Sequence, residues 1–119
     1  MSYQAVRATL ERAWFKAGGG TFDHEVVVLV QTRGDGIEAK SLPVTNQFAQ
    51  VTFSAGTEKL IAIFHTHPNR FPAEPTHGDR EVADKLHIPV YTCTSRGLYR
   101  YDPAVKRTVQ VAPGLTWLP

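Results

Sequence analysis

The chain has 119 residues, of which 42% are apolar and 20% charged, and it carries a formal net charge of +2. This length and composition predict one globular domain with a single hydrophobic core, spanning residues 1–119. A charge this small, with the basic residues scattered along the chain, argues against nucleic acid as a partner. No apolar run approaches the roughly 20 residues that cross a bilayer, which argues against a membrane protein.

The residue types also indicate a compartment. Cys93 is the only cysteine, so no disulfide forms within the chain, and a reducing compartment, the cytoplasm, is the expected location. The first residues lack the apolar central region of a signal peptide, although a secreted effector is also compatible with a chain that has no disulfides. Cys93 lies in an alternating segment and is expected to be a small strand residue rather than a reactive thiol.

The first predicted element is a helix over residues 2–17. Ser2 is a suitable N-cap, and the three glycines at positions 18–20 end the helix. Apolar residues recur in this segment at spacings of three and four, which predicts one buried stripe made of Val6, Leu10, Ala13, Trp14 and Ala17.

Strands are expected to follow. A β-branched run predicts a buried strand over residues 25–31, and the Arg-Gly-Asp-Gly turn at 33–36 predicts a hairpin partner over 37–42. A short strand is expected near residues 50–53. An apolar run over residues 59–65 predicts the next strand.

The second half of the chain predicts a helix and then more strands. The helix covers residues 76–86, and strands follow over 89–94, 98–101 and 108–112. The order helix, strands, helix, strands predicts an α+β (α/β-like) domain. Its sheet is expected to be mixed, mostly antiparallel, and flanked by helices.

Several potential metal ligands lie close together in the sequence, between the end of the fourth predicted strand and the start of the second helix. His65 and His67 point to the same side of a strand, roughly 6.5–7 Å apart, because side chains alternate along a strand. Pro68 ends that strand, and Asp79 follows at the third position of the helix capped by Thr76. Two imidazoles and a carboxylate with an open fourth position are typical of catalytic zinc, although residue types alone do not separate zinc from other divalent metals.

Other residues compete for roles at this site. His77, two residues before Asp79, is an alternative ligand or a solvated helix-start residue. Hydrolysis needs a general base, and Glu25 is preferred because it stands alone among apolar residues on a strand expected to neighbour the histidines. Glu74 is a second candidate, but its Pro-rich loop suits a rigid base poorly. Thr76 is either only an N-cap or also an oxyanion donor.

The whole pattern resembles the signature of the JAMM (MPN+, JAB) zinc metallopeptidases. That signature is a glutamate, His-x-His-Pro, seven residues, and Ser-x-x-Asp; here it reads Glu25, His65-Thr66-His67-Pro68, residues 69–75, and Thr76-His77-Gly78-Asp79. Four of the five functional positions match in identity and spacing, and Thr76 replaces the family's serine. The resemblance covers about residues 5–102 and is greatest to compact bacterial JAB-like domains, whose closing hairpin is similar to residues 89–103.

The resemblance implies a JAB/MPN-like (cytidine deaminase-like) fold with Zn²⁺ bound by His65, His67 and Asp79. It implies that Glu25 activates a water molecule and passes its proton to the leaving amine. Thr76 would stabilise the tetrahedral intermediate, since threonine keeps the hydroxyl while stiffening χ1. The implied reaction is zinc-dependent hydrolysis of a peptide or isopeptide bond.

The implied partner is a protein or peptide substrate, with ubiquitin-like proteins as one class. Their extended C-terminal tails can add to a sheet edge, and residues 44–56 are expected to offer such an edge or a covering loop. The chain is short for the insertions that grip a folded ubiquitin. Trp117 and Leu118, near the end of the sequence, either pack onto the core or mediate a contact.

Two further hypotheses are a catalytically weak or inactive JAB-fold scaffold that binds a partner, and a toxin or effector module acting on cellular proteins. The intact ligand set argues against the first. Metallo-β-lactamase chemistry also uses His-x-His, but that pattern continues with an acid where this chain has Asn69. A barrel amidohydrolase needs about twice the length.

Overall fold

The structure, a computed structural model, describes residues 3–21, 25–34, 36–41 and 60–119. Within these residues it is an α+β fold with two α-helices and a six-stranded mixed sheet, which confirms the predicted fold class at this level. The helices are α1 (Tyr3–Lys16) and α2 (His77–Leu86). The strands, in chain order, are β1 (Val27–Arg33), β2 (Gly36–Ser41), β3 (Leu60–Thr66), β4 (Val90–Thr94), β5 (Gly97–Asp102) and β6 (Arg107–Pro113).

The strands lie in the order β2-β1-β3-β4-β5-β6. In the described part of the sheet, β3 and β4 are parallel and every other neighbouring pair is antiparallel. Two parallel neighbours need a crossover connection, usually a helix. The loop of residues 67–76 and α2 supply that crossover, so β3, this loop, α2 and β4 form one βαβ unit.

One face of the sheet packs against α1. Four of the five residues in the predicted apolar stripe are buried and Val6 is half-buried, which confirms the stripe. They contact sheet residues that include Val28 and the buried Cys93, whose thiol pKa is raised by its burial. Trp117 joins the same core, edge-on to Trp14 with ring centroids 5.4 Å apart, and its Nε1 donates to Thr94 O at 3.0 Å. Trp117 therefore packs onto the core, one of the two predicted alternatives.

The opposite face of the sheet packs against α2. The core there is formed by Val27, Leu29, Ile63, Ala83, Ile88, Val90 and Tyr101. This apolar layer lies next to the end of β3. The two histidines follow Ile63 on the same face of that strand. The helix thus delivers its first turn to the same end of the sheet as the histidines.

The predicted boundaries lie within two residues of the described ones. The helix expected over residues 76–86 begins at His77 with Thr76 as its N-cap, and the predicted hairpin between the first two strands is present. Ser2, the strand expected near residues 50–53 and the segment 44–56 lie outside the described residues. Neither described helix has the length and apolar character needed to cross a membrane.

Candidate metal centre

The two histidines lie at the end of β3 and face the same side of the sheet, as their spacing predicts. Their ring centroids are 4.7 Å apart, and both residues are only 1% exposed. His65 is directly opposite Val27 of β1 and level with Thr92 of β4. Both neighbours belong to the face that α2 covers, so the histidines are held between the sheet and the first turn of the helix.

Glu25 reaches the histidines because of the pairing between β1 and β3. Alternation along the chain places Glu25 on the same face as Val27. Val26 is bonded twice to Thr66: its N–H donates to Thr66 Oγ1 at 3.0 Å, and its carbonyl accepts from the Thr66 N–H at 3.0 Å. Glu25 Oε2 then lies 3.3 Å from His65 Nδ1, and Glu25 Oε1 lies 3.5 Å from the His67 Nε2 atom.

Asp79 approaches from the first turn of α2. The Thr76 N–H donates to Asp79 Oδ2 at 2.8 Å, and the Asp79 N–H donates to Thr76 Oγ1 at 3.3 Å, which is a capping box. This reciprocal pair fixes the carboxylate. Asp79 Oδ1 lies 3.3 Å from His65 Nε2, and Asp79 Oδ2 lies 3.4 Å from His67 Nε2.

The tautomer of His67 follows from its hydrogen bond. Its Nδ1 lies 2.8 Å from the Pro72 carbonyl oxygen, which can only accept, so Nδ1 carries the proton and donates. The buried Nε2 makes no hydrogen bond with the described residues, yet it lies near the carboxylates of Glu25 and Asp79. In the neutral ring, this nitrogen directs a lone pair towards two carboxylates. This nitrogen is therefore available as a metal ligand.

Glu25, His65 and His67 each offer one ligand atom within 4.8 Å of the others, close enough to bind a metal ion. Both histidines are buried and Glu25 is partly exposed, with 21% of its side chain accessible. The arrangement therefore combines rigid, dehydrated nitrogen donors with a carboxylate that meets solvent.

The electrostatics of the metal-free site follow from the same closeness. Burial alone would lower the pKa of His65, but the charge of Asp79, supported by Glu25, outweighs it and raises that pKa to about 10. Burial alone would raise the pKa of Asp79, but the charge of His65 outweighs it and holds that pKa well below its usual range. Without metal, a proton on His65 therefore compensates the negative charge at the site.

Side chains from other parts of the fold donate hydrogen bonds to the backbone carbonyls of the loop between His67 and Thr76. Arg96 donates to the carbonyls of Asn69 (3.3 Å) and Phe71, and Arg80 donates to Pro75 O at 3.0 Å. Thr92 donates from the buried floor of the loop to Ala73 O at 2.6 Å. At the other end of the loop, the Asn69 N–H donates to Gly20 O at 2.7 Å.

Other predicted candidates do not join the cluster. His77 is 80% exposed in its side chain and pairs with Glu81, with Nε2 to Oε1 at 2.7 Å, so it is the solvated helix-start residue of the two predicted alternatives. Glu74 is exposed in the loop. Thr76 is exposed and is an N-cap as predicted, since its hydroxyl accepts from the Asp79 N–H. In the described part of the chain this hydroxyl donates to no protein group, so its own proton is available to another acceptor.

Two contributors to the site were not predicted. One is the Pro72 carbonyl, which sets the His67 tautomer, and the other is Thr92, which binds the next carbonyl along the loop. No local pattern marks Thr92, because its role depends on the parallel register that places it beside His65.

Comparison with known proteins finds no family model and no curated protein sequence that matches this chain.

Proposed function

We propose that this protein is a zinc-dependent hydrolase with a JAB/MPN-like fold that cleaves a peptide or isopeptide bond. The observation that carries the proposal is the convergence of two buried imidazoles and two carboxylates at one end of the sheet. Ligands bonded to zinc at about 2.0–2.1 Å in a tetrahedron lie about 3.3–3.4 Å apart. Asp79 fits this spacing, with Oδ1 3.3 Å from His65 Nε2 and Oδ2 3.4 Å from His67 Nε2. Glu25 lies 3.5 Å from His67 Nε2 and 3.3 Å from Nδ1 of His65, the other nitrogen of that ring, and one ion can bind only one of the two His65 nitrogens.

In this proposal His65, His67 and Asp79 hold the zinc ion. Two of these ligands have a partner that orients the side chain: Pro72 O for His67 and the Thr76 N–H for Asp79. The pairing of β1 with β3 places His65 at the site. Such outer partners fix ligand geometry. When bound, zinc would act as a Lewis acid and lower the pKa of a water molecule to about 7.

Glu25 is the proposed general base. It is the more solvent-accessible carboxylate of the pair, with 21% of its side chain exposed against 6% for Asp79, so it meets both the ligands and entering water. It would accept the proton of the attacking water and return it to the leaving amine. The exposed Thr76 hydroxyl would donate to the oxyanion that develops on the substrate. The substrate class proposed is a protein or peptide, with ubiquitin-like tails as one class to test.

The test measures metal and turnover separately. Purified protein is expected to contain one zinc per chain, and chelation should lower its thermal stability. It should cleave members of a fluorogenic peptide or ubiquitin-like amide library. Glu25→Gln should retain zinc but lose about a hundred- to ten-thousand-fold in rate. Glu81→Gln, an exposed acid on α2, is the matched control and should keep full rate.

A second candidate is a non-catalytic metal site in which Glu25 is itself a ligand. The closeness of Glu25 to both histidine nitrogens favours this alternative, because a fourth protein ligand would close the open position. In that case Glu25→Gln would lower zinc affinity, and the wild type would show no hydrolysis. Both candidates would be refuted if the purified wild type contained no zinc and its thermal stability did not change on addition of a chelator.

A further inference from the structure

We propose that Thr92 is a positioning residue that sets the orientation of the metal ligand His67, an inference that rests on the proposed function. Thr92 lies in β4, is fully buried, and is level with His65 in the parallel register between β3 and β4. Among the described hydrogen bonds, none joins Thr92 directly to His67. Its hydroxyl donates to Ala73 O at 2.6 Å, across 19 residues of chain.

Two consecutive carbonyl groups of the loop are bound from below. Pro72 O accepts from His67 Nδ1 at 2.8 Å, and Ala73 O accepts from Thr92 Oγ1 at 2.6 Å. The two carbonyls flank one residue, so fixing the second limits rotation of the peptide unit that carries the first. The rotation of that peptide unit decides where the Pro72 oxygen points.

The Pro72 oxygen in turn decides which nitrogen of His67 carries the proton. With Nδ1 donating, Nε2 is left as the lone-pair donor that faces the two carboxylates. A loop free to turn would release Nδ1 and allow the ring to rotate or exchange tautomers. Thr92 would thus affect metal affinity indirectly, through the peptide unit that joins Pro72 to Ala73.

The other side-chain hydrogen bonds to the loop do not hold the peptide unit that carries the Pro72 carbonyl. Arg96 binds the carbonyls of Asn69 and Phe71 at the exposed side of the loop, and Arg80 binds Pro75 O beyond Ala73. Among the described side-chain hydrogen bonds to this loop, the Thr92 bond is the fully buried one, and water cannot replace a donor lost there. Ala73 is itself only 3% exposed.

The experiment compares Thr92→Val, which keeps the shape and removes the hydroxyl, with Thr92→Ser, which keeps the hydroxyl. Thr9→Val is the matched control, because Thr9 is a buried threonine on α1 that donates to Ala5 O at 3.0 Å, away from the site. Zinc affinity is measured by competition with a chromophoric chelator. Thr92→Val should weaken it about 10–100-fold, whereas Thr92→Ser and Thr9→Val should stay within about threefold of the wild type on the scale of such outer-partner effects.

A second readout uses metal-free protein. In ¹⁵N-histidine NMR, the Nδ1 proton of His67 should be protected from exchange in the wild type and Thr92→Ser, and exchange rapidly in Thr92→Val. This arm does not need zinc, so it separates failure of the positioning inference from failure of the proposed function. Folded Thr92→Val with wild-type zinc affinity and a protected Nδ1 proton would overturn the inference. If the valine variant does not fold, Thr92→Ala, which removes the hydroxyl and adds no volume, carries the same expectations.

Discussion

The stability of the metal-free protein should fall as the pH rises from 7 to 10. The pKa of His65 is raised from 6.5 to about 10 in the folded protein. A raised pKa stabilises the fold fully below the unfolded value and loses that stabilisation as the pH passes through the folded value. This difference in pKa corresponds to a contribution of about 5 kcal/mol to the free energy of unfolding, at about 1.4 kcal/mol for each pH unit. Domains of this size are stable by about 5–15 kcal/mol, so the loss should be large.

The assay is urea unfolding in the presence of a strong chelator at several pH values, followed by tryptophan fluorescence. His65→Gln removes the titrating group and should give a nearly flat profile between pH 7 and 10. His87→Gln, an exposed histidine, should keep the wild-type decline. An unchanged wild-type stability over this range, or an equal decline in His65→Gln, would refute the reasoning. Asp79, whose pKa is lowered, acts at the other end, where its contribution is lost as the pH falls below about 4.

Two further predictions concern residues around the site. Gly20→Ala should destabilise the fold by about 1–3 kcal/mol, because Gly20 has φ +87° and an added Cβ would collide with the Asn69 side chain. Gly34→Ala, at φ +58° with open space around it, should cost less in the same thermal melts, and equal costs would contradict the collision. His77→Ala should leave zinc affinity unchanged and alter stability by less than about 1 kcal/mol, because the His77–Glu81 pair is exposed; a loss of zinc in that variant would contradict the placement of His77.

Local patterns accounted for the parts of the site that are close in sequence. The spacing of His65 and His67 defines one side of a strand, and the position of Asp79 after Thr76 defines the first turn of a helix. The same helical geometry contains a signal about His77. Two residues along a helix correspond to about 200° of rotation, so His77 and Asp79 could not both face the sheet.

Contacts between distant segments could not be predicted in this way. Glu25 was the preferred base because its strand was expected to neighbour the histidines, but its approach depends on the register between β1 and β3, and a shift of one residue would turn it to the opposite face. The position of Thr92 depends on the parallel pairing of β3 with β4. The bond from His67 to Pro72 depends on the course of the loop, which carries three prolines and no periodic pattern.

The βαβ unit has a consequence for the order in which the site assembles during folding. His65, His67 and Asp79 all lie within this unit, so their approach closes only a short stretch of chain. Glu25 lies 40 residues before His65 in the sequence and arrives only when β1 pairs with β3. Closing the longer loop costs about 1 kcal/mol more in chain entropy. The three side chains of the unit can therefore come together in a partly folded chain, whereas Glu25 joins them only once β1 has paired with β3.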